Sequence, residues 1–314
     1  WLYASVTQPP KSQIWGALWV VYIVWGTTYL AIEYSIRSMP PILAMGMRFL
    51  AASFLMALFI SIRWGIGFLA ITKRQTAALA LLGALLLGLG LGSVTLAQYN
   101  DVPTGIVALL IAALPLWIAT FKAIDGVASS RWGWFGIVIG FFGVGILLLP
   151  ELRKPDNSSH LFWMAMVIVG NFAWSLGTYI APRLGLPKST MVVTTYQMLL
   201  GGISMSVVAL ATGERITDFL DATLFSWMWW LFLVLIGSIA TYSAYLWLVK
   251  YAPVGLIATY AYVNPVIAVT IGAIVLNEKL STTLLIGAAV VITGVVMVVR
   301  AESRAVATQV QPSA

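Results

Sequence analysis

Apolar residues fill this chain in stretches of about 20, and a short group of polar or charged residues closes each stretch. About 20 residues, at roughly 1.5 Å each along an α-helix, cross a hydrocarbon core about 30 Å thick. The pattern therefore predicts an all-α integral membrane protein with ten transmembrane helices, which we number helix 1 to helix 10. The predicted helices cover residues 14–34, 41–62, 76–97, 103–122, 132–149, 160–180, 190–212, 225–249, 254–276 and 282–299.

The composition supports a chain whose surface mostly faces lipid. Hydrophobic residues make up 61% of the 314 residues and charged residues 9%, whereas soluble domains carry about 25% charged residues. The net charge of +7 comes from basic residues in short loops, where they orient the helices and attract anionic lipid. These loops form no basic patch of the kind that binds nucleic acid. The predicted partners are therefore the lipid bilayer and a small-molecule substrate.

The distribution of lysine and arginine predicts the orientation in the membrane. Of the 17 such residues, 11 fall on the side of the two chain ends, 5 fall on the opposite side, and Arg48 lies within helix 2. Cytoplasmic loops carry the excess of positive charge, so both ends are predicted to face the cytoplasm. The chain is accordingly predicted to be a multi-pass protein of the cell inner (plasma) membrane.

Two stretches of the chain are related in sequence. Residues 251–279 read YAPVGLIATYAYVNPVIAVTIGAIVLNEK, and a diluted copy, NDVPTGIVALLIAALPL, starts at Asn100. A repeated membrane-embedded unit within one polypeptide is typical of secondary transporters. The matched pairs, all 150 positions apart, are Pro103 and Pro253, Gly105 and Gly255, Ala108 and Ala258, and Pro115 and Pro265.

The duplication predicts the arrangement of the whole chain. Each copy contains five helices, an odd number, so the second copy must enter the membrane in the opposite direction to the first. The predicted units are a first five-helix repeat at 14–149 and a second at 160–300, and together they form two inverted five-helix repeats. The tail, residues 301–314, is polar and is predicted to be cytoplasmic and disordered.

These residues resemble the EamA family of the drug/metabolite transporter (DMT) superfamily. The resemblance covers essentially all of 14–300 and rests on WGTTYLAI in helix 1, MRFLAA in helix 2, VPTGIVALLIAALPL in helix 4, YAYVNPVIAV with LNEKLS in and after helix 9, and LIGAAVVITGVVMV in helix 10. It implies a ten-helix carrier that exports or exchanges small metabolites. Members of the family include amino-acid exporters, some of them specific for aromatic amino acids.

Aromatic residues recur within several predicted helices and are candidates to line a substrate pathway. Rings stack on an apolar side chain, while a few hydroxyl and amide groups hold the polar end of an amphipathic solute. Packing between helices, or anchoring at the membrane interface, is the alternative role for each of them. The candidate substrate-binding residues are Trp25, Tyr29, Gln98, Trp174, Tyr242, Tyr245, Tyr260 and Asn264.

Pro115 in helix 4 and Pro265 in helix 9 are predicted to kink their helices at matching depth. A proline removes a backbone hydrogen bond and frees a carbonyl, which a neighbour, a water or a substrate can use. Both positions are therefore candidates for gating. A kink that only improves packing is the alternative, because proline is frequent in membrane helices.

Arg48 is a buried charge, well inside helix 2. It lies seven residues after Pro41, or about 10 Å along the helix. A buried guanidinium needs a partner and is a functional candidate. The sequence leaves three kinds of partner open, which are Glu33 near the outer end of helix 1, a substrate carboxylate, and carbonyl groups at a helix end.

An enzyme acting within the membrane is not predicted. The single histidine, His160, lies at the outer mouth of helix 6, and every aspartate falls in a loop or at a helix end, so no buried catalytic pair can form. The chain has no GxxxxGK phosphate-binding loop and no cysteine. No catalytic residue, metal site or cofactor is predicted.

The predicted function is a secondary transporter that exports or exchanges small metabolites by alternating access, most of all amino acids with aromatic or large apolar side chains. An exporter of another metabolite or of a drug-like amphipathic solute is the first alternative. A channel is the second, although the sequence shows no filter motif and no rings of charge. No Asp or Glu lies at mid-depth in a helix, which favours uniport or exchange over proton coupling. The sequence predicts no oligomeric state.

Overall fold

The computed structural model describes residues 9–126, 130–152, 158–252, 254–257 and 259–310, and over these residues the protein is helical with no β-strand. Nine of the described helices are long and apolar enough to cross a membrane, and they correspond to predicted helices 1 to 8 and helix 10. The all-helical membrane architecture is therefore confirmed. The nine are Lys11–Ile36, Pro41–Trp64, Lys73–Tyr99, Thr104–Ile124, Arg131–Pro150, Ser159–Arg183, Thr190–Ala211, Leu224–Tyr245 and Thr282–Ala301.

Helix 9 departs from the prediction. Its residues form one short turn of helix, Val254–Ile257, and a separate 16-residue helix, Tyr260–Val275, which is apolar but shorter than the other nine. Pro253 and Ala258, two of the repeat positions, lie outside the described residues. Over the described chain, nine of the ten predicted helices are thus long enough to cross a membrane, and the main helical piece of helix 9 is shorter.

Several helices extend beyond the predicted bounds or are joined by short helices. Helix 5 continues to Leu152 and helix 8 to Tyr251. Short helices lie between the long ones at Ile66–Leu69, Ala181–Arg183 and Ile216–Leu220.

The tail that was predicted to be disordered is helical over most of its length. Helix 10 runs from Thr282 to Val310, so the prediction is wrong for 301–310. A polar segment that continues a helix already formed needs no new nucleus, and this one is rich in good helix formers such as alanine, arginine and glutamine. Residues 311–314 lie outside the described part of the chain.

The helix starts follow from local sequence. Helix 2 begins at Pro41 and helix 4 begins directly after Pro103, positions where the missing N–H of proline costs no helical hydrogen bond. Thr72 starts helix 3 with a capping box, because its hydroxyl accepts from the Gln75 N–H and the Gln75 side chain accepts from the Thr72 N–H. These caps set where the chain enters each helix and therefore which side chains face the interior.

Helices 3 and 8 each contain a π-helical segment, in which the backbone hydrogen bonds span five residues instead of four. The segments are Ala84–Leu91 and Leu233–Ala240, and they start 149 positions apart. In helix 8 both the N–H and the hydroxyl of Thr241 donate to the Ile236 carbonyl, which supports the wider turn. Such turns are rare and occur often at functional sites.

The helices pack in pairs that join the first half of the chain to the second. Helix 2 packs along helix 7 and helix 5 along helix 10. Helix 1 packs against helices 8 and 9, and helix 6 packs against helices 3 and 4. These pairs are symmetric between the halves: exchanging helices 1 to 5 with helices 6 to 10, in order, converts each pair into another pair of the same set.

Glycines let two of these pairs approach until their backbones touch. A Cβ added to Gly202 in helix 7 would lie 2.9 Å from the Gly46 carbonyl oxygen in helix 2. One added to Gly136 in helix 5 would lie 2.8 Å from the Gly294 carbonyl oxygen in helix 10. Cβ atoms in proteins do not come so close to backbone atoms, so these crossings need glycine.

The outside of the bundle is apolar. Phe54, Phe142 and Ile274 are 67%, 67% and 73% exposed, and they belong to a long series of exposed large apolar side chains. A patch of this extent would drive a soluble protein to associate, whereas lipid solvates it. The polar groups that must find partners therefore lie inside the bundle or at its ends.

Candidate functional site

Four of the six predicted aromatic residues form one cluster, which we call the ring cluster. The centre of the Trp25 ring in helix 1 lies 5.4 Å from the ring centres of Tyr245 in helix 8 and of Tyr260 in helix 9. Tyr245 and Tyr260 are 5.9 Å apart, and Tyr242 is 6.1 Å from Tyr245. These separations, with tilted or edge-on rings, are those of favourable aromatic pairs. Since helix 1 comes from the first half and helices 8 and 9 from the second, the ring cluster bridges the halves.

The ring cluster is tied to the π-helical segment of helix 8. Trp25 Nε1 donates to the Gly237 carbonyl oxygen at 3.3 Å. The absence of a side chain at Gly237 leaves room for its neighbours, because a Cβ there would lie 3.3 Å from the Thr28 methyl and 3.6 Å from Arg48 Nη2. The indole, the widened turn and the buried arginine therefore meet around one residue.

Arg48 is buried with few partners for its guanidinium. It is 6% exposed. Its Nε donates to the Ser238 hydroxyl at 3.0 Å, and its Nη1 lies 3.8 Å from the Met45 sulfur. The guanidinium carbon also lies 5.0 Å from the centre of the Phe49 ring. A single hydroxyl is thus the only oxygen in the described part of the chain that accepts a hydrogen bond from this cation.

Two of the three partners considered for Arg48 are excluded by these contacts. The Glu33 carboxylate lies 4.0 Å from Arg37, four residues further along helix 1, and not beside Arg48. No helix-end carbonyl within the described ranges accepts a hydrogen bond from the guanidinium, and Ser238 takes that place instead. The residues could not reveal this partner in advance, because Ser238 is 190 positions away.

Buried amide side chains connect helices through their nitrogen atoms. Gln98 Nε2 donates to the Tyr29 carbonyl at 2.9 Å, and Asn171 Nδ2 donates to the Leu110 carbonyl at 2.8 Å. The oxygens of both amides, and the amide oxygen of Asn264, are buried without a hydrogen-bond partner. Gln98, a predicted substrate ligand, therefore joins helix 3 to helix 1 and still offers a free acceptor.

Among the described residues, Trp174 and Tyr29 form no ring pair with the ring cluster, although Tyr29 lies one helical turn after Trp25. Trp174 packs against the π-helical segment of helix 3, where a Cβ on Gly90 would lie 2.8 Å from its Cε3. Tyr29 packs on the larger apolar core of the bundle, whereas Trp25 and Tyr260 pack on a smaller one. Trp174 contacts helix 3 much as Trp25 contacts helix 8.

Helix 4 is interrupted just before Pro115, whereas helix 9 continues through Pro265. The first half of the helix ends at Ile111, and Pro115 is the second residue of the next half. In a continuous helix the proline ring would clash with the Ile111 carbonyl, which explains why the helix stops there. Asn171 of helix 6 satisfies the Leu110 carbonyl at this break. Pro265 lies buried inside the continuous helix Tyr260–Val275.

A glutamate that sequence analysis did not single out joins helix 9 to helix 4. Glu278 accepts from the Thr104 N–H at 2.6 Å, from the Thr104 hydroxyl at 2.5 Å and from the Gly105 N–H at 3.1 Å. Gly272 makes room for it, because a Cβ there would lie 2.5 Å from Glu278 Oε2. Free N–H groups and the helix dipole favour negative charge at a helix N-terminus. We call this contact the Glu278 cap.

A second glutamate makes the same kind of contact at the same end of the bundle. Glu214, after helix 7, accepts from the N–H groups of Ile42 and Leu43 at 3.1 and 2.7 Å, and so caps helix 2. Each capping glutamate follows a residue with positive φ that ends its helix, Gly213 at 97° and Asn277 at 55°. A Gly-Glu or Asn-Glu pair after an apolar helix was therefore a signal available in the sequence.

The opposite end of the bundle carries an ionic contact between helices 4 and 6. The Tyr179 hydroxyl donates to the Asp125 carboxylate, and Arg183 Nη2 lies 2.7 Å from the same oxygen. The hydrogen bond from Tyr179, with the nearby Arg183 cation, holds the pKa of the Asp125 carboxyl below its usual range. Asp125 therefore stays ionised well below neutral pH.

The described residues contain no group of three His, Asp or Glu side chains that could hold a metal ion. Buried polar residues in the same ranges are hydroxyls, neutral amides and one guanidinium. Such groups can hold a small solute by hydrogen bonds and one ionic contact.

Comparison with known proteins identifies what this arrangement resembles. The sequence profile described as the EamA-like transporter family matches residues 161–300. The uncharacterized inner membrane transporter YedA of Escherichia coli K12 is 34% identical over 286 residues, which cover 91% of this chain and 90% of YedA. The uncharacterized transporter YoaV of Bacillus subtilis is 21% identical over 88% of this chain and 93% of its own length.

A crystal structure of a protein shares the fold. It superposes with a TM-score of 0.61 and covers 91% of this chain and 97% of its own, at 17% sequence identity. At that identity the similarity concerns the fold alone. The named relatives are transporters, which confirms the prediction that the chain is not an enzyme.

Proposed function

Because this chain belongs to the EamA-like transporter family and is a multi-pass membrane transporter, we propose that it exports or exchanges amino acids with aromatic or large apolar side chains. The observation that carries this substrate class is the ring cluster, which both halves build, and buried amide oxygens elsewhere in the bundle can bond a polar end. Rings pack well against an apolar side chain, and free acceptors such as Asn264 Oδ1 suit an ammonium group.

The same proposal includes two inverted five-helix repeats, 14–149 and 160–300. Three observations support it. The helix pairs are unchanged when the halves are exchanged. The π-helical segments lie 149 positions apart. Trp25 and Trp174 are also 149 positions apart. Trp25 in helix 1 contacts the π-helical segment of helix 8, and Trp174 in helix 6 contacts the π-helical segment of helix 3, so each contacts the segment in the other half. Repeats of this kind place the substrate at their interface.

Alternating access requires that the two halves separate at one face at a time. The Glu214 and Glu278 caps join the halves at the face predicted to be outward, and the contact of Asp125 with Tyr179 joins them at the other face. We propose that these contacts close the two faces in turn, and that both chain ends lie in the cytoplasm, in the inner membrane.

The proposal is tested by flux into proteoliposomes that hold the purified full-length protein. Radiolabelled phenylalanine, tryptophan and leucine are offered separately, with amines, sugars and nucleosides as competitors. We expect saturable uptake of the amino acids with weak competition by sugars and nucleosides. Uptake that rises linearly with concentration would indicate a channel and contradict the proposal.

A matched pair of variants tests the role of the ring cluster. Trp25→Ala removes a ring that contacts two others, and Phe142→Ala removes a ring that is 67% exposed toward lipid. A lost ring contact costs about 1 kcal/mol, so the concentration for half-maximal uptake should rise about fivefold for the first variant and stay unchanged for the second. Equal values for the two would assign the ring cluster to packing.

The second candidate is an exporter of other amphipathic solutes. An apolar site that bridges two halves with few charges also suits a drug-like amine, and the free amide oxygens favour a donor on the solute. Strong competition by hydrophobic amines, with no uptake of amino acids, would favour this alternative.

A further inference from the structure

We infer that Arg48 holds a carboxylate on the transported solute, so that the substrates are apolar molecules with one acid group. The inference rests on the proposed transport function and narrows its substrate class. It starts from the charge balance around a single buried side chain.

The guanidinium of Arg48 has more hydrogen-bond donors than the described residues supply with acceptors. A guanidinium carries five N–H donors, and within the described residues one hydroxyl, Ser238, is the only oxygen that accepts from it. No described carboxylate forms an ion pair with Arg48. A buried cation without a counter-charge is costly, and removing an ion from water costs several kcal/mol even after relaxation. An anion that arrives with the solute would satisfy this group.

The position of the guanidinium fits such a solute. Arg48 Nη2 has no acceptor among the described residues, and it lies 3.6 Å from the place that a Cβ on Gly237 would occupy. The Gly237 carbonyl bonds the Trp25 indole, which is the centre of the ring cluster. The Trp25 ring and the Arg48 guanidinium therefore both lie next to Gly237, so a solute whose apolar part contacts Trp25 could place its acid group at Arg48.

The charge of the site points to a carboxylate. Arg48 is the only Lys or Arg buried within the described ranges, so it can balance one negative charge. A phosphate brings about two negative charges at neutral pH, and one would remain uncompensated in the interior. A carboxylate brings one, and its two oxygens match the planar donors of a guanidinium.

The test compares acids with their amides on the unaltered protein. Phenylalanine and phenylalaninamide differ only in the acid group, and leucine and leucinamide form a second pair. Each competes against uptake of the best-transported solute in proteoliposomes. We expect the acids to compete at least about thirtyfold better than the amides, because losing one partner of a buried charged pair has effects of this size. Equal competition within both pairs would overturn the inference while leaving transport of apolar solutes intact.

Two variants locate the effect. Arg48→Gln should abolish the preference for acids over amides, whereas Arg48→Lys, which keeps the charge, should retain part of it. Ser238→Ala is the matched control, because it removes the hydroxyl that accepts from Arg48 Nε and leaves the cation, and it should keep the preference. A full preference in Arg48→Gln would overturn the inference. Absence of saturable uptake for every probe would instead contradict the proposed function, and the inference would fall with it.

Discussion

Replacing Glu278 by glutamine should loosen the predicted outer face of the protein. The variant keeps an acceptor oxygen of the same shape, but it removes the charge that faces the N-terminus of helix 4. Glu278 accepts three hydrogen bonds there, at 2.5 to 3.1 Å. A charge at a helix N-terminus contributes about 0.3–1 kcal/mol when exposed and up to about 2 kcal/mol when partly buried. Since this carboxylate is partly buried, we expect a loss of about 1–2 kcal/mol, which raises the released population about 5- to 30-fold.

The absence of cysteine makes this population measurable. Thr28→Cys places one thiol beside Gly237, inside the bundle. A membrane-impermeant maleimide added outside intact cells can reach it only when the outer face opens. The labelling rate should rise by the same 5- to 30-fold factor in Glu278→Gln. Asp221→Asn is the matched control, because it removes one exposed carboxylate from the loop before helix 8, at the same face, and this side chain caps none of the described long helices. Equal rates in the two variants would refute the assignment of Glu278 to closing this face.

Three further predictions follow from other parts of the structure. Single cysteines at Ser158 and Thr308 should react with impermeant reagent from opposite faces of the membrane, and reaction of both from the same face would contradict the inverted repeats. Pro265→Ala should leave membrane insertion intact and lower the flux, because it restores a helical hydrogen bond inside helix 9; unchanged flux would remove Pro265 from gating. The contact of Asp125 with Tyr179 should persist from about pH 5 to 8, because a depressed carboxyl pKa keeps the contact until the pH falls through that low value. Labelling of a cysteine near this face should therefore be constant over that range, and a change centred near pH 6 would be inconsistent with it.

The sequence predicted the positions of the membrane-spanning helices well, because these depend on the length of each apolar stretch. It did not predict the π-helical segments within the helices. Nine of the helices lie close to their predicted places, because a bilayer demands a fixed length of apolar chain. The division of helix 4 could have been read from Pro115, whose ring cannot follow the Ile111 carbonyl in a continuous helix. The π-helical segments could not, because nothing in the glycine cluster near Gly88 distinguishes a wider turn from a kink.

The candidate site was predicted in its residue types more than in its contacts. Trp25, Tyr245 and Tyr260 were selected as isolated rings, and the structure brings them together from parts of the chain more than 200 residues apart. Arg48 was recognised by its depth, but its partner depends on which turn of helix 8 faces helix 2. The roles of all these residues in transport stay predictions.

The glycine crossings have a mechanical consequence. Where Gly46 meets Gly202, and where Gly136 meets Gly294, the backbones of opposite halves touch without side chains between them. Surfaces in such contact cannot slide, because any translation would drive a neighbouring side chain into the opposing backbone. One helix can still rotate relative to the other about the point of contact. The two crossings therefore define a fulcrum, and small rotations about it become larger displacements at the ends of the bundle. Adding even one methyl group at the fulcrum would shift both ends at once.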